Sequence, residues 1–281
     1  MYFNLNEMEN EITNKKEHRL SGLSFTYHGN NYYYKADKDF EYAYNELIAK
    51  KIADRLGIPC CEYYPANYKK NQGVVTKMFD TKNYIPMIDI LEKYYSASSK
   101  SQDNENNLED IWYAFDQMFD EETTARLMDE LVNIFLFDVL IGNIDRHNEN
   151  IGIIVDEKGA RFAPLFDNEG MLDYEAINDG EYCLGIEKGD AFGYNLDPQE
   201  NLIYKFLKVS DTIYTERLAQ MLPVISEKSL KEIFAELKSE GVEIPEEIIA
   251  DRLEKFAINR QMIKRYFIYH KEVEEDEFIR K

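Results

Sequence analysis

The sequence predicts an α+β chain of two lobes, a small β-rich lobe over 1–82 and a larger, mostly helical lobe over 83–281. Three observations predict it. Near the start, short aromatic runs are bounded by turn residues, which marks paired strands. Over the last third, apolar residues recur at the spacing of one helix face. Between these regions a long apolar helix runs into a polar loop and then a second hairpin.

The elements follow in order. Phe25-Thr26-Tyr27, His28-Gly29-Asn30-Asn31 and Tyr32-Tyr33-Tyr34 read as strand, turn and strand, with Lys35 ending the second strand. A helix over 40–56 carries Leu47, Ile48, Ile52 and Leu56 at helical spacing, and Gly57 and Pro59 stop it. The stretch 73–79 reads as a strand leading out of the small lobe. The polar segment 96–107 reads as an exposed connector, and Trp112, Phe115, Met118 and Phe119 mark a helix face expected in the core. A buried helix over 124–141 has Leu127, Leu131, Ile134, Phe135, Val139 and Leu140 in its apolar set, with Gly142 and Asn143 as stop signals. A polar loop over 143–150 precedes a strand at 151–155, a turn at 156–159 and a return strand at 161–166. The stretch 173–194 reads as an irregular acidic loop. Helices are expected over 202–209, 212–222, 229–239 and 245–270, with Ser226 and Pro245 as start signals and an acidic, frayed tail at 272–277.

Bulk properties narrow the class. With 281 residues, 44% hydrophobic and 31% charged, the chain has material for a substantial core. No apolar run reaches transmembrane length, and the first eighteen residues are too polar and acidic for a secretory signal. The three Cys include the adjacent pair Cys60-Cys61, and the four His are dispersed, so reduced thiols and no zinc site are expected. The expected setting is cytoplasmic, without a membrane partner. A net charge of −21 opposes direct nucleic-acid binding, and its simplest consequence is solubility.

The chemistry concentrates in Asn143-Ile144-Asp145-Arg146-His147-Asn148-Glu149-Asn150 and Pro164-Leu165-Phe166-Asp167-Asn168. An Asp, an Asn five residues on, and a second Asp beyond a hairpin form the donor set that phosphoryl transfer requires. Asp145 would orient or deprotonate a nucleophilic hydroxyl. Asn150 and Asp167 would hold Mg2+ against the phosphates of ATP, since oxygen-only donors in small number suit that ion. His147, counted with Asp145 as catalytic, and Arg146 would brace the loop or offset charge. In the small lobe, Lys35 would hold phosphate and Glu46, on the next helix, would fix it, with Glu41 as the competing partner. Ser21-Gly22-Leu23-Ser24 lies where a glycine would let backbone N–H groups approach phosphate. The backbone at Lys77 and Phe79 would offer hydrogen bonds to the adenine edge.

Several of these blocks resemble the HipA-like bacterial serine/threonine protein kinases. Leu140-Ile141-Gly142 through Asn150, with Pro164-Leu165-Phe166-Asp167, is similar to that family's catalytic core. The run from Asn45 to Pro59 is similar to its small-lobe helix and turn, Lys77-Met78-Phe79-Asp80 to its hinge segment, and Leu20-Ser21-Gly22-Leu23-Ser24 to its phosphate loop. The chain departs from the family in lacking a Gln-x-Lys after Ser-Gly, and on this reading it is expected to lack the separate N-terminal subdomain of full-length HipA toxins. The resemblance implies a two-lobed protein-kinase-like fold, Ser/Thr acceptors and a protein substrate, the chain itself among the candidates. It also implies self-phosphorylation at the phosphate loop, here Ser21 or Ser24, with Lys15, Lys16 and Arg19 near enough in sequence to capture the product. Two alternatives stay open: a catalytically silent nucleotide- or protein-binding module on the same fold, and a small-molecule kinase of the aminoglycoside-phosphotransferase type.

Overall fold

Alternation along the first strands sorts side chains onto two faces, and that sorting builds the small lobe. In the computed structural model, which describes residues 2–18, 22–36, 41–79, 81–95, 108–143, 146–172 and 212–264, six strands form one sheet. They are β1 (Phe3–Asn4), β2 (Thr13–Glu17), β3 (Leu23–Tyr27), β4 (Asn30–Ala36), β5 (Tyr63–Tyr68) and β6 (Asn71–Lys77), in the order β1-β5-β6-β4-β3-β2. Only the β1–β5 pair is parallel. The β3–β4 turn is tighter than expected, with only His28 (φ 46°) and Gly29 (φ 77°) between the paired Tyr27 and Asn30. Two successive positive φ angles match the right-handed twist of a hairpin.

Phe3, Leu5, Ile12, Leu23, Phe25, Tyr32, Tyr34, Ala66 and Val75 form a separate cluster on one face of this sheet. Tyr63 and Val74 belong instead to the main core, together with Ala43, Leu47, Ile48 and Ile52 of α1 (Glu41–Leu56). Side chains alternate along a strand, so Tyr33 and Lys35 share the α1 side of β4. Gly73 lets β6 approach β4, because a Cβ at that position would lie 2.1 Å from the Lys35 carbonyl oxygen.

The larger region is mainly helical: α2 (Met87–Tyr95), α3 (Leu108–Met118), α4 (Glu121–Ile141), α5 (Thr212–Val224), α6 (Glu227–Ser239) and α7 (Glu246–Ile263). A three-stranded sheet of β7 (Tyr84–Pro86), β8 (Gly152–Asp156) and β9 (Gly159–Phe162) lies within it, in the order β7-β8-β9. The central helix α4 starts three residues before the expected position, because the Asp120 side chain caps it by accepting from Thr123 N–H at 2.8 Å. It ends at Gly142, in the left-handed region at φ 60°. Ser226 caps α6 through a reciprocal bond with Ser229, as its start signal implied, and Pro245 precedes α7. No helix among the described residues is long and apolar enough to cross a membrane.

Two expectations need correction. The return strand ends at Phe162, not 166. Pro164 has no N–H to continue the ladder, and Leu165 instead pairs with the segment after α1, through Leu165 N–H to Pro59 O at 2.9 Å and Cys61 N–H to Leu165 O at 2.8 Å. Trp112 is half exposed, whereas Phe115 beside it is buried as expected. Strands β1, β2, β5 and β7 and helix α2 went unread in the sequence. The expected helix at 202–209, the connector 96–107, the stretch 173–194 and the tail 272–277 lie outside the described residues.

Helix α1 belongs to the small lobe in sequence but is tied to the last helices. Tyr44 Oη donates to Glu243 O at 2.8 Å, Arg55 Nη2 pairs with Glu236 Oε1 at 2.6 Å, and the buried Arg252 donates through Nε to Asn45 Oδ1 at 2.9 Å.

Candidate active site

The site is built on one buried cation. Arg146 is 0% exposed, and all five of its N–H groups have acceptors. Nε and Nη2 each reach a different carboxylate oxygen of Asp138 at 3.0 Å. Nη1 donates to Phe166 O at 2.8 Å and Asn150 O at 3.3 Å, and Nη2 also donates to Asn168 Oδ1 at 2.7 Å. Asp138, in the last turn of α4, takes a further bond from Asn143 Nδ2 at 2.9 Å. One guanidinium therefore holds together the end of α4, the Asn150 loop and the segment leading to Asp167. A buried charge with a bidentate partner and no unused donor has a single geometry.

The loop closes on itself. Asn150 Oδ1 accepts from His147 N–H at 2.9 Å, Asn150 N–H donates to His147 O at 3.1 Å, and His147 Nδ1 accepts from Glu149 N–H at 3.2 Å. His147 is thus a loop brace in this structure. Asp145 lies outside the described residues; Asn143 and Arg146, on either side of it in sequence, are both bonded to Asp138.

Asp167 sits in the left-handed region at φ 57°, a conformation that Asp tolerates better than most residues. Its N–H donates to Tyr63 Oη at 3.0 Å, and its Oδ1 accepts from Lys35 Nζ at 2.8 Å. Lys35 also pairs with Glu169 Oε2. Burial alone would lower the Lys35 ammonium's pKa, but the charges of Asp167 and Glu169 outweigh it and hold the group above its ordinary value.

Glu46 does not hydrogen-bond Lys35, contrary to the expected pairing. Its Oε2 instead accepts from Asn168 N–H at 2.9 Å and Asn168 Nδ2 at 3.3 Å. Burial and then the Asp167 charge push its carboxyl up to about 7, against the opposing pull of the Asn168 N–H, Lys35 and the Tyr63 hydroxyl. At Lys77 the N–H is already donated to Glu62 O at 3.1 Å, and the next N–H, of Met78, goes to Asn31 O at 2.9 Å. Of the Lys77 backbone, the N–H is therefore already engaged within the fold. Phe79 packs its ring against Tyr84 and Phe166, at 5.2 and 5.8 Å between centroids.

Gly22 carries no positive φ. A Cβ there would meet Tyr33 Oη at 2.3 Å, so close packing by Tyr33 accounts for the glycine. Ser21 and Asp80 lie outside the described residues. Cys60 and Cys61 are free thiols, and burial raises the pKa of both.

Asp167 and Asn150 offer hard oxygen donors of the kind magnesium takes. Asp167 Oδ2 has no partner among the described residues, and the carboxylates of Asp167 and Glu169 already accommodate one positive charge, the Lys35 ammonium. The donor chemistry fits that ion. Among the described residues, no group of three or more His, Cys, Asp or Glu forms an alternative metal site.

Sequence reasoning gave no role to Asn168 and missed Asp138, Tyr63 and Glu169. Asn168 and Glu169 stand directly after the marked Asp167, and that adjacency was the one available signal for them.

A family model described as HipA-like C-terminal domain matches residues 24–243. The serine/threonine-protein kinase CtkA of Helicobacter pylori is 30% identical over 167 residues, 58% of this chain and 48% of that protein. The match thus spans about half the length of that relative. Among solved structures, a Helicobacter pylori proinflammatory kinase CtkA superposes with a TM-score of 0.65 at 22% identity, covering 93% of this chain and 94% of that one. A chain of the Shewanella oneidensis MR-1 toxin–antitoxin complex of HipA, HipB and operator DNA gives 0.56 at 15% identity, over 84% and 58%. At these identities the two structures speak for the fold alone.

Proposed function

The chain belongs to the HipA-like C-terminal domain family, and we propose that it is an ATP- and Mg2+-dependent protein kinase that transfers the γ-phosphate to Ser or Thr hydroxyls. The observation that carries this reading is the Lys35–Asp167 pair at 2.8 Å, which joins a strand of the small lobe to a left-handed residue 132 positions away. A strand lysine of the small lobe that meets a carboxylate of the larger region matches the two groups that hold nucleotide phosphates and their metal in kinases.

Each group then has a distinct task. Lys35 gives up its carboxylates for phosphate oxygens when nucleotide enters. Asp167 and Asn150 supply the oxygens that would hold magnesium. That ion, when bound, neutralises charge on the phosphates. Arg146 holds Asn150 through its carbonyl and Asp167 through the carbonyl of the preceding Phe166. Asp145 orients the acceptor hydroxyl and takes its proton as the new O–P bond forms and the bond to the ADP leaving group breaks. Phe79, with Tyr84 and Phe166 behind it, gives apolar contact for the base.

The test is incubation of the full chain with labelled ATP and magnesium alongside candidate proteins and a metabolite extract, followed by mass spectrometry. Phosphoserine or phosphothreonine on protein, the chain included, supports the proposal. In Asp145→Asn, transfer should vanish while nucleotide affinity stays within a few-fold, because that carboxylate serves the acceptor rather than ATP. Phosphate found only on a small molecule, or undiminished transfer in Asp145→Asn, overturns it.

A further inference from the structure

We infer that Asn168 is a positioning residue: its buried carboxamide couples Arg146 to Glu46 and thereby sets where the Asp167 carboxylate stands. The inference rests on the reading above of Asp167 as a magnesium-holding residue. Asn168 is 0% exposed. Its Oδ1 accepts from Arg146 Nη2 at 2.7 Å, and its Nδ2 donates to Glu46 Oε2 at 3.3 Å and to Cys60 Sγ at 3.8 Å. Its backbone N–H donates to the same Glu46 oxygen at 2.9 Å.

Only a primary amide suits this place, because one end must accept from a cation and the other must donate to a carboxylate. A carboxylate at 168 would satisfy Arg146 and oppose Glu46. An apolar side chain would leave a buried guanidinium N–H without its acceptor.

The consequence falls on the residue before it. Phe166 O is held by Arg146 Nη1, Asp167 N–H by Tyr63 Oη and Asn168 N–H by Glu46. The two peptide groups that flank Asp167 are thus pinned by three bonds from three different elements, and Asp167 between them keeps φ 57°. Side chains that orient a metal-holding carboxylate set its affinity without touching the ion. Glu46 acquires a role in this arrangement that differs from steadying Lys35: it anchors the Asp167 segment to α1.

The test is calorimetric titration of magnesium into the full chain with a non-hydrolysable ATP analogue, well below the melting temperature of every variant. Asn168→Ala and Asn168→Asp should each raise the half-saturating magnesium concentration about ten- to a hundredfold. Asn168→Asp combined with Glu46→Gln restores a donor facing an acceptor, and should recover most of that loss. A residue that merely filled the core would lower melting temperature in the single variants and leave magnesium half-saturation unmoved. Unmoved half-saturation, or a double variant no better than Asn168→Asp, overturns the inference. Should Asn168→Ala not fold, the comparison of Asn168→Asp with the double variant decides alone. Asp167→Ala separates the two readings. If wild type and Asp167→Ala bind magnesium alike, the assignment of Asp167 fails. If they differ while the Asn168 variants match wild type, only the positioning role fails.

Discussion

Two charged clusters meet at Asp167 and Asn168, and they are built on opposite plans. Around Arg146 everything is dry: the guanidinium and the Asp138 side chain are 0% and 1% exposed, and every donor is used. Around Lys35 the side chains are about a third exposed, and one ammonium is shared between two carboxylates. A sealed cluster fixes a backbone path, because moving any member strands a charge in low dielectric. A half-open cluster can exchange partners at small cost, since water solvates whichever group is released. On the proposed function, the contrast separates the groups that shape the site from the groups that would meet the nucleotide.

The largest expected effect lies in the sealed cluster. Asp138→Ala leaves Arg146 buried without its bidentate partner and should cost about 3–5 kcal/mol of stability, read as a shift of the denaturant midpoint. A loss well under that would show that water reaches Arg146 and would erase the contrast. Asp167→Ala, at the meeting point, should abolish magnesium-linked ATP binding in calorimetry while leaving the unfolding midpoint far less changed than Asp138→Ala does.

Glu46 stands between the clusters and sharpens the comparison through pH. Its carboxyl ordinarily titrates near 4.5 and is pushed up to about 7 in the fold. Between those values the folded state keeps a proton that the unfolded chain releases, so this group's contribution to stability falls as pH rises. Glu46→Gln carries no such proton. The melting temperature of the variant relative to wild type should therefore rise as pH moves from 5 to 7 and level off above that. A pH-independent difference would mean that Glu46 is as well solvated as a surface acid. The smallest effect is expected from Glu169→Gln, in the open cluster. Freed from one competing carboxylate, Lys35 should bind ATP a few-fold more tightly, since charge neighbours of an exposed pair contribute little. A weakened affinity would make Glu169 part of the ligand site rather than a competitor.

Much of the fold was legible because its signals are local. The His28-Gly29 turn, the face of Leu47, Ile48 and Ile52, the stop at Gly142 and the cap at Ser226 are all written within a few residues. The short or polar strands β1, β2, β5 and β7 were not, because their partners, rather than their own pattern, make them strands. The site divides in the same way. Asn150 and Asp167 stand out by spacing, and Lys35 by its place after a hairpin. Asp138 looks like one more polar residue in a helix until Arg146 folds onto it from eight positions away. Tyr63 reaches Asp167 from 104 residues away, and no local pattern announces such a pairing. The expected Lys35–Glu46 pair was not formed for the same reason: the neighbour that occupies Glu46 is Asn168, 122 residues downstream.

The fastening of α1 has a mechanical consequence. Tyr44, Asn45 and Arg55 tie this helix to Glu243, Arg252 and Glu236 in the last part of the chain. Any motion of the small-lobe sheet against the helical region must then slide the sheet over α1 or break those ties. Cooperative opening units follow such ties rather than sequence order. In native-state hydrogen exchange the amides of α1 should therefore open together with those of α6 and α7, while β3 and β4, whose buried faces pack in a cluster of their own, open separately.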